Sequence, residues 1–161
     1  MSLLAVYPGS FDPFTKGHLD LATRAAETFG QLTIVVVHNP NKKALLGLAK
    51  RAEAIKAAFG DLPKNICVDV LKEGLLAEYC QKIGAKAIVK GLRSAADLEY
   101  EQPMARVNRD LTGIETVFLP AAGEYAHISS SLVKQVFELG SDVSAYLPDP
   151  VLEAMNEENQ R

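Results

Sequence analysis

Residues 7–18 read YPGSFDPFTKGH, and this stretch decides the fold. Pro8, Gly9 and Pro13 break regular structure, Ser10 and Thr15 add hydroxyls, and the stretch closes on Gly17 and His18. Before it, residues 3–6 form a short apolar run that predicts a buried strand. After it, residues 17–29 place Leu19, Leu21, Ala22, Ala25, Ala26 and Phe29 at helical spacing, until Gly30 stops the pattern. Residues 32–37 are apolar and rich in β-branched side chains, as in a strand covered on both faces. Strand, stiff loop, helix and strand make a βαβ unit.

The alternation continues outward. Helices are predicted over 49–59, 75–83, 95–111 and 130–139, with Pro103 weakening or kinking the third. Strands are predicted over 66–71, 87–89 and 116–119. A last helix is expected at about 149–161, peripheral to the rest. Such a pattern predicts an α/β fold with a parallel sheet. In these sheets ligands bind outside the carboxyl ends of the strands. The segments after the strands are residues 8–18, HNPNKK, KEGLL, KGLRS and PAAGEYAHISSS. The opposite rim offers FGQ, GDLPKN, IGAK and LTGIE. Lysine, arginine, glycine and serine thus gather on the rim where ligands bind, which points to a phosphate-bearing anion.

Totals set the limits. A chain of 161 residues with 48% hydrophobic side chains suits one domain, here residues 1–161. A formal net charge of -3 supplies no global basic field for duplex nucleic acid. Cys67 and Cys80 fit no metal or redox spacing and are expected as reduced packing residues of a cytoplasmic protein. Nothing near Met1 reads as a signal peptide. No apolar run approaches the roughly 20 residues of a membrane span, so no membrane partner is expected.

The loop is neither a Walker A motif nor a dinucleotide fingerprint, since neither glycine pattern occurs. Gly9 would let backbone approach a ligand, and Ser10 would donate to a phosphate oxygen. Gly17 and His18 open the next helix, where free amides and the imidazole face one phosphate chain together. Neighbouring phosphate charge would favour a protonated His18. No Ser-His-Asp or Cys-His set suggests a covalent nucleophile.

TKGH at residues 15–18 resembles the T/H-x-G-H signature of the nucleotidylyltransferase superfamily, and ISSS at 128–131 resembles its second signature. YPGSFDPFTKGHLDL, the Lys42-Lys43 pair, KGLRSAADLEYE, MARVNR and ISSSLVK are together similar to the bacterial phosphopantetheine adenylyltransferase family, nearly to YLPDPV at the end. The resemblance implies a Rossmann-like, doubly wound, five-stranded parallel sheet with helices on both faces, and a cytoplasmic homohexamer. It implies magnesium-dependent transfer of AMP from ATP to 4'-phosphopantetheine, giving dephospho-coenzyme A and pyrophosphate. Rivals are transfer to nicotinamide mononucleotide, CMP transfer to an alcohol phosphate, a silent nucleotide-binding module, or a nucleic-acid binder.

The resemblance also assigns roles. His18, Lys42 and Arg93 would be catalytic. The ATP site would comprise Ser10, Phe11, His18, Gly91, Leu92, Arg93, Glu101, Tyr125, Ala126, His127, Ile128, Ser129, Ser130 and Ser131. The phosphopantetheine site would comprise Ser10, Lys42, Leu76, Lys90 and Asn108. Lys90 departs from the family's more common arginine, keeping the charge but losing the bidentate fork. By residue type alone, Leu76 reads more readily as plain core than as a ligand contact, and an exposed helix glutamate competes seriously at Glu101. His38 carries no pattern. Three adjacent serines exceed what one helix cap needs. No carboxylate cluster suggests a protein-held metal; Asp12, the nearest candidate, reads equally as a brace for the loop.

Overall fold

A computed structural model describes residues 1–160. The strands are β1 (Leu3–Gly9), β2 (Gly30–Val37), β3 (Ile66–Leu71), β4 (Ala87–Leu92) and β5 (Glu115–Pro120). The helices are α1 (Lys16–Phe29), α2 (Leu48–Ala58), α3 (Leu76–Lys82), α4 (Ala95–Thr112), α5 (Ser130–Glu138) and α6 (Asp149–Asn159). All strand pairs are parallel, in the order β3-β2-β1-β4-β5. The chain therefore winds outward in both directions from β1, as a doubly wound sheet does.

Alternation along the strands sorts the core into two faces. Ala5, Tyr7, Leu32, Ile34, Val36 and Val89 join side chains of α1, α2, α5 and α6 in one cluster. Val6, Val35 and Ile88 join Ala77, Cys80 and Ile114 on the other face, where α3 packs. Helices thus cover both faces, as predicted. Helix α6, expected at the periphery, buries Val151 and Met155 in the larger cluster, and Arg161 lies outside the described residues. Cys80 is buried as expected, but Cys67 is exposed.

β1 and β4 each run three residues further at the carboxyl end than the sequence predicted, and these extensions build the site. β1 continues through Tyr7, Pro8 and Gly9, paired with Ile34, Val35 and Val36. β4 continues through Lys90, Gly91 and Leu92, paired with Phe118, Leu119 and Pro120. Yet β1 and β4 pair only at Ala5–Ala87 and Val6–Ile88. Beyond that point each central strand follows its outer neighbour, and the sheet splits at its switch point. Pro8 sits where β1 has a partner on one side only, a position that tolerates a missing N–H. Helix α4 runs unbroken through Pro103, which leaves the Glu99 carbonyl without its helical donor.

Candidate active site

A cavity of about 310 Å³ lies over the split between β1 and β4. It gathers Ser10, Phe11, His18, Lys42, Lys90, Gly91, Arg93, Glu101, Tyr125, Ile128 and the three serines 129–131 from segments far apart in sequence. Leu76, Leu92, Asn108, Ala126 and His127 are not among its lining residues. Leu76 packs at the edge of the α3-side cluster, and Asn108 is buried in α4. The Leu92 carbonyl accepts the Ala121 amide at 2.8 Å. Ala126 closes the single 3-10 turn at Gly123–Tyr125. His127 is exposed beside Tyr146, their rings 6.1 Å apart. Sequence reasoning missed Asp97, Tyr100, Leu21 and Ala121, which also line the cavity.

His18 is fixed by a reciprocal cap at the start of α1. Thr15 Oγ1 accepts the His18 amide at 3.3 Å, and His18 Nδ1 accepts the Thr15 amide at 3.0 Å. A nitrogen that accepts carries no hydrogen, so the neutral ring holds its hydrogen on Nε2. The rings of Phe11 and Phe14 stand 5.1 and 5.5 Å from the imidazole. This desolvation, with the charges of Arg93 and Lys90, lowers the His18 pKa to about 3. The phosphate argument for a protonated His18 is opposed by its burial in the free protein, which favours the neutral imidazole and its N–H donor.

Two of the cavity cations are already paired. Lys90 Nζ lies 3.1 Å from Glu101 Oε1. Arg93 donates to Asp97 through Nε at 3.1 Å and through its backbone N–H at 2.8 Å, and to the Ile128 carbonyl at 3.3 Å. Burial pushes the Asp97 pKa up, but these hydrogen bonds outweigh it and hold the carboxyl below its ordinary value. Glu101 is thus a half-buried ion-pair partner, not an exposed helix glutamate. Lys42 is exposed and makes no ion pair among the described residues.

The glycines and serines divide their work differently from the expectation. A Cβ on Gly9 would stand 2.8 Å from the Phe11 ring, and one on Gly91 2.6 Å from Leu21 Cδ1. A side chain at either position would force Phe11 or Leu21 to shift, so packing inside the protein favours both glycines, whatever a ligand needs. Ser129 caps α5 by accepting the Leu132 amide at 3.2 Å, and Ser130 Oγ donates to the Pro13 carbonyl at 2.8 Å. Only Ser131 has no such structural bond. Phe11, the residue between Ser10 and Asp12, sits at φ 47°, a conformation that costs a bulky residue roughly 1–3 kcal/mol.

Among the described residues no group of three or more His, Cys, Asp or Glu side chains could hold a metal. Asp12 is spent on the loop: it accepts the Leu45 and Leu46 amides at 2.7 and 3.0 Å and pairs with Lys134 at 3.2 Å. No described helix is long and apolar enough to cross a membrane.

Comparison with known proteins agrees with this geometry. The cytidylyltransferase-like family matches residues 6–136. A phosphopantetheine adenylyltransferase of Clavibacter michiganensis subsp. michiganensis is 49% identical over 157 residues, covering 96% of each chain. One from Paenarthrobacter aurescens is 50% identical over 151 residues, covering 94% of this chain and 90% of the relative. Among solved structures, a bifunctional NMN adenylyltransferase/ADP ribose pyrophosphatase from Francisella tularensis superposes with a TM-score of 0.72 at 16% identity. That match covers 99% of this chain but only 49% of the other, and it speaks for the fold alone.

Proposed function

The chain belongs to the phosphopantetheine adenylyltransferase family, and from that premise we propose how its cavity transfers AMP from ATP to 4'-phosphopantetheine, releasing pyrophosphate. The protein is a nucleotidyltransferase of coenzyme A biosynthesis. One observation carries the proposed roles: a neutral N–H donor, three cations and a helix N-terminus converge on the one split in the sheet.

The reaction brings two phosphates together, so it depends on positioning and on stabilising charge at phosphorus. His18 Nε2–H donates to a non-bridging oxygen of the α-phosphate and strengthens that bond as charge builds. Lys42, exposed and without an ion-pair partner, takes the acceptor phosphate together with Ser10. Arg93 and the N-terminus of α5, with Ser131 its freest hydroxyl, hold the triphosphate. Lys90 and Glu101 form one unit at the wall, and Tyr125 offers a ring to the base. The attacking phosphate oxygen bonds to the α-phosphorus as the bond to pyrophosphate breaks, and no covalent enzyme intermediate is needed.

A divalent cation, magnesium in this reading, would supply charge neutralisation on the triphosphate, bound through the substrate and water, since the described residues offer no group that would hold it. Leu76 and Asn108 remain candidates for the pantetheine arm, and Leu92, Ala126 and His127 for the outer adenine wall. The described chain acts as one adenylyltransferase domain that includes α6. A homohexamer is supported by α4, which exposes Tyr100, Met104, Val107 and Leu111 along one helical stripe. Its setting is taken to be the cytoplasm.

The test is pyrophosphate release from ATP and magnesium with 4'-phosphopantetheine, with nicotinamide mononucleotide and His18→Ala as controls. Release with phosphopantetheine alone, abolished in the variant, is expected. Release with another acceptor only would overturn the acceptor assignment.

A further inference from the structure

Three buried or half-buried polar side chains outside the proposed ligand contacts join the loops of the site. Arg51 lies in α2, yet only 3% of it is exposed. Its Nε donates to the Leu46 carbonyl at 2.8 Å and its guanidinium nitrogen to the Ser10 carbonyl at 2.6 Å. Asp12 binds the next turn of the same loop through the Leu45 and Leu46 amides. Lys134 in α5 completes the set, donating to Asp12 at 3.2 Å and to the Lys43 carbonyl.

Lys134 joins different halves of the reaction, whereas Arg51 and Asp12 tie the Ser10 loop to the Lys42 loop within the acceptor half. Ser10 and the loop bearing Lys42 belong to the acceptor half. Helix α5 begins with the serine run and belongs to the nucleotide half. A buried guanidinium that donates only to main-chain oxygens of two loops fixes backbone positions. A lysine shared by a carboxylate and a carbonyl from the same two loops does so from a third element. We propose that Asp12, Arg51 and Lys134 are positioning residues that set the distance between the attacking phosphate and the α-phosphorus. This rests on the adenylyl-transfer reading above.

The clamp acts on alignment, not on either ligand's own contacts. Loosening it should leave each half-site able to bind but misplaced relative to the other. A displacement of about 1 Å is enough to cost on the order of 100-fold in rate. Lys134→Met removes both of its hydrogen bonds while Asp12 keeps its two amides. The expected result is a kcat lowered roughly 10- to 100-fold, with ATP affinity by calorimetry within about three-fold and full binding stoichiometry. Lys134→Arg should restore most of the rate. Arg51→Lys, whose single ammonium is too short to reproduce the forked contact, should reproduce the defect and serves as the test if Lys134→Met does not fold.

A purely structural role predicts otherwise: kcat would fall only in proportion to the fraction of chains that bind ATP. That outcome, or a kcat within about two-fold of the parent for Lys134→Met and Arg51→Lys, overturns the clamp. If the parent chain is inert toward phosphopantetheine but active on another acceptor, the acceptor assignment alone falls. The same variants are then measured with that acceptor, and an unchanged kcat there overturns the clamp as well.

Discussion

The protonation state of His18 is open to direct measurement. An ordinary histidine, with a pKa of about 6.5, is about 97% charged at pH 5. With the His18 pKa lowered to about 3, only about 1% would be charged at that pH. The geometry makes the same demand, because charging the ring puts a hydrogen on Nδ1, facing the Thr15 N–H that it now accepts at 3.0 Å. Nitrogen-15 NMR of the free protein, with His18 assigned through His18→Gln, should show the Nε2–H tautomer from pH 8 down to pH 5. The sign for stability follows. The unfolded chain takes up a proton near pH 6.5 that the folded ring refuses until about pH 3. This contribution is fully present above pH 6.5 and is lost as pH falls through the window toward 3. The loss is at most about 1.4 kcal/mol per pH unit, and less in practice because the ring opens onto a solvated cavity. Denaturant melts at pH 7 and pH 5 should therefore differ by less in His18→Gln than in the parent. A doubly protonated His18 at pH 5, or an Nδ1–H tautomer at pH 8, would refute both the lowered pKa and the donor role built on it.

Lys42→Met should raise the KM for the phosphate acceptor about ten-fold or more, with the KM for ATP little changed, since one charge-assisted hydrogen bond contributes about 1.5–3 kcal/mol; steady-state kinetics at saturating ATP reads this. Gly91→Ala places a methyl group 2.6 Å from Leu21 Cδ1 and should destabilise the fold by about 1–3 kcal/mol, seen as a drop in the denaturation midpoint. Asp97→Asn weakens the contacts that hold Arg93 in place and should lower kcat/KM for ATP despite the gain in positive charge, most clearly at high ionic strength, while Asp97→Glu retains part of it. Met104→Glu with Val107→Glu puts charge on the exposed stripe of α4 and should reduce the mass found by sedimentation; an unchanged mass would remove α4 from the assembly interface.

The fold was legible because its signals are local. The β-branched run of β2, the helical spacing of α1 and the glycines that stop the helices each act within a few residues. Strand ends were less legible. Whether Lys90, Gly91 and Leu92 lie in a strand depends on Phe118, Leu119 and Pro120 beside them, and no local pattern carries that pairing. The site was legible wherever a motif brought its own residues together, as at His18 and the serine run. It was not legible where charge is set by tertiary neighbours. Arg51 sits in LAKRAEAIKAA, which reads as a solvated helix, yet it is buried against two loop carbonyls. Asp97 resembles an ordinary first-turn acid until Arg93 folds back onto it. The charge expected on His18 followed from phosphate alone, and the aromatic rings around it oppose that charge.

The paired cations explain why the site depends on more than its own charge. Leaving the half-buried Lys90 unpaired would carry a desolvation cost in the free protein, whereas Arg93 is exposed and incurs little. Glu101 and Asp97, one helical turn apart on α4, offset that cost and hold both cations in place. The arrangement also reduces what the cavity offers its substrates. Lys42, Lys90 and Arg93 against Asp97 and Glu101 leave a formal charge of only +1, because His18 is neutral. Two phosphate-bearing reactants bring several negative charges into the same space. The protein aligns them but does not neutralise them, and in the proposed reading a divalent cation carried on the triphosphate would supply the remaining positive charge. Chelating that cation should therefore stop turnover while leaving the fold and its melting temperature unchanged, because no side-chain cluster among the described residues depends on the metal.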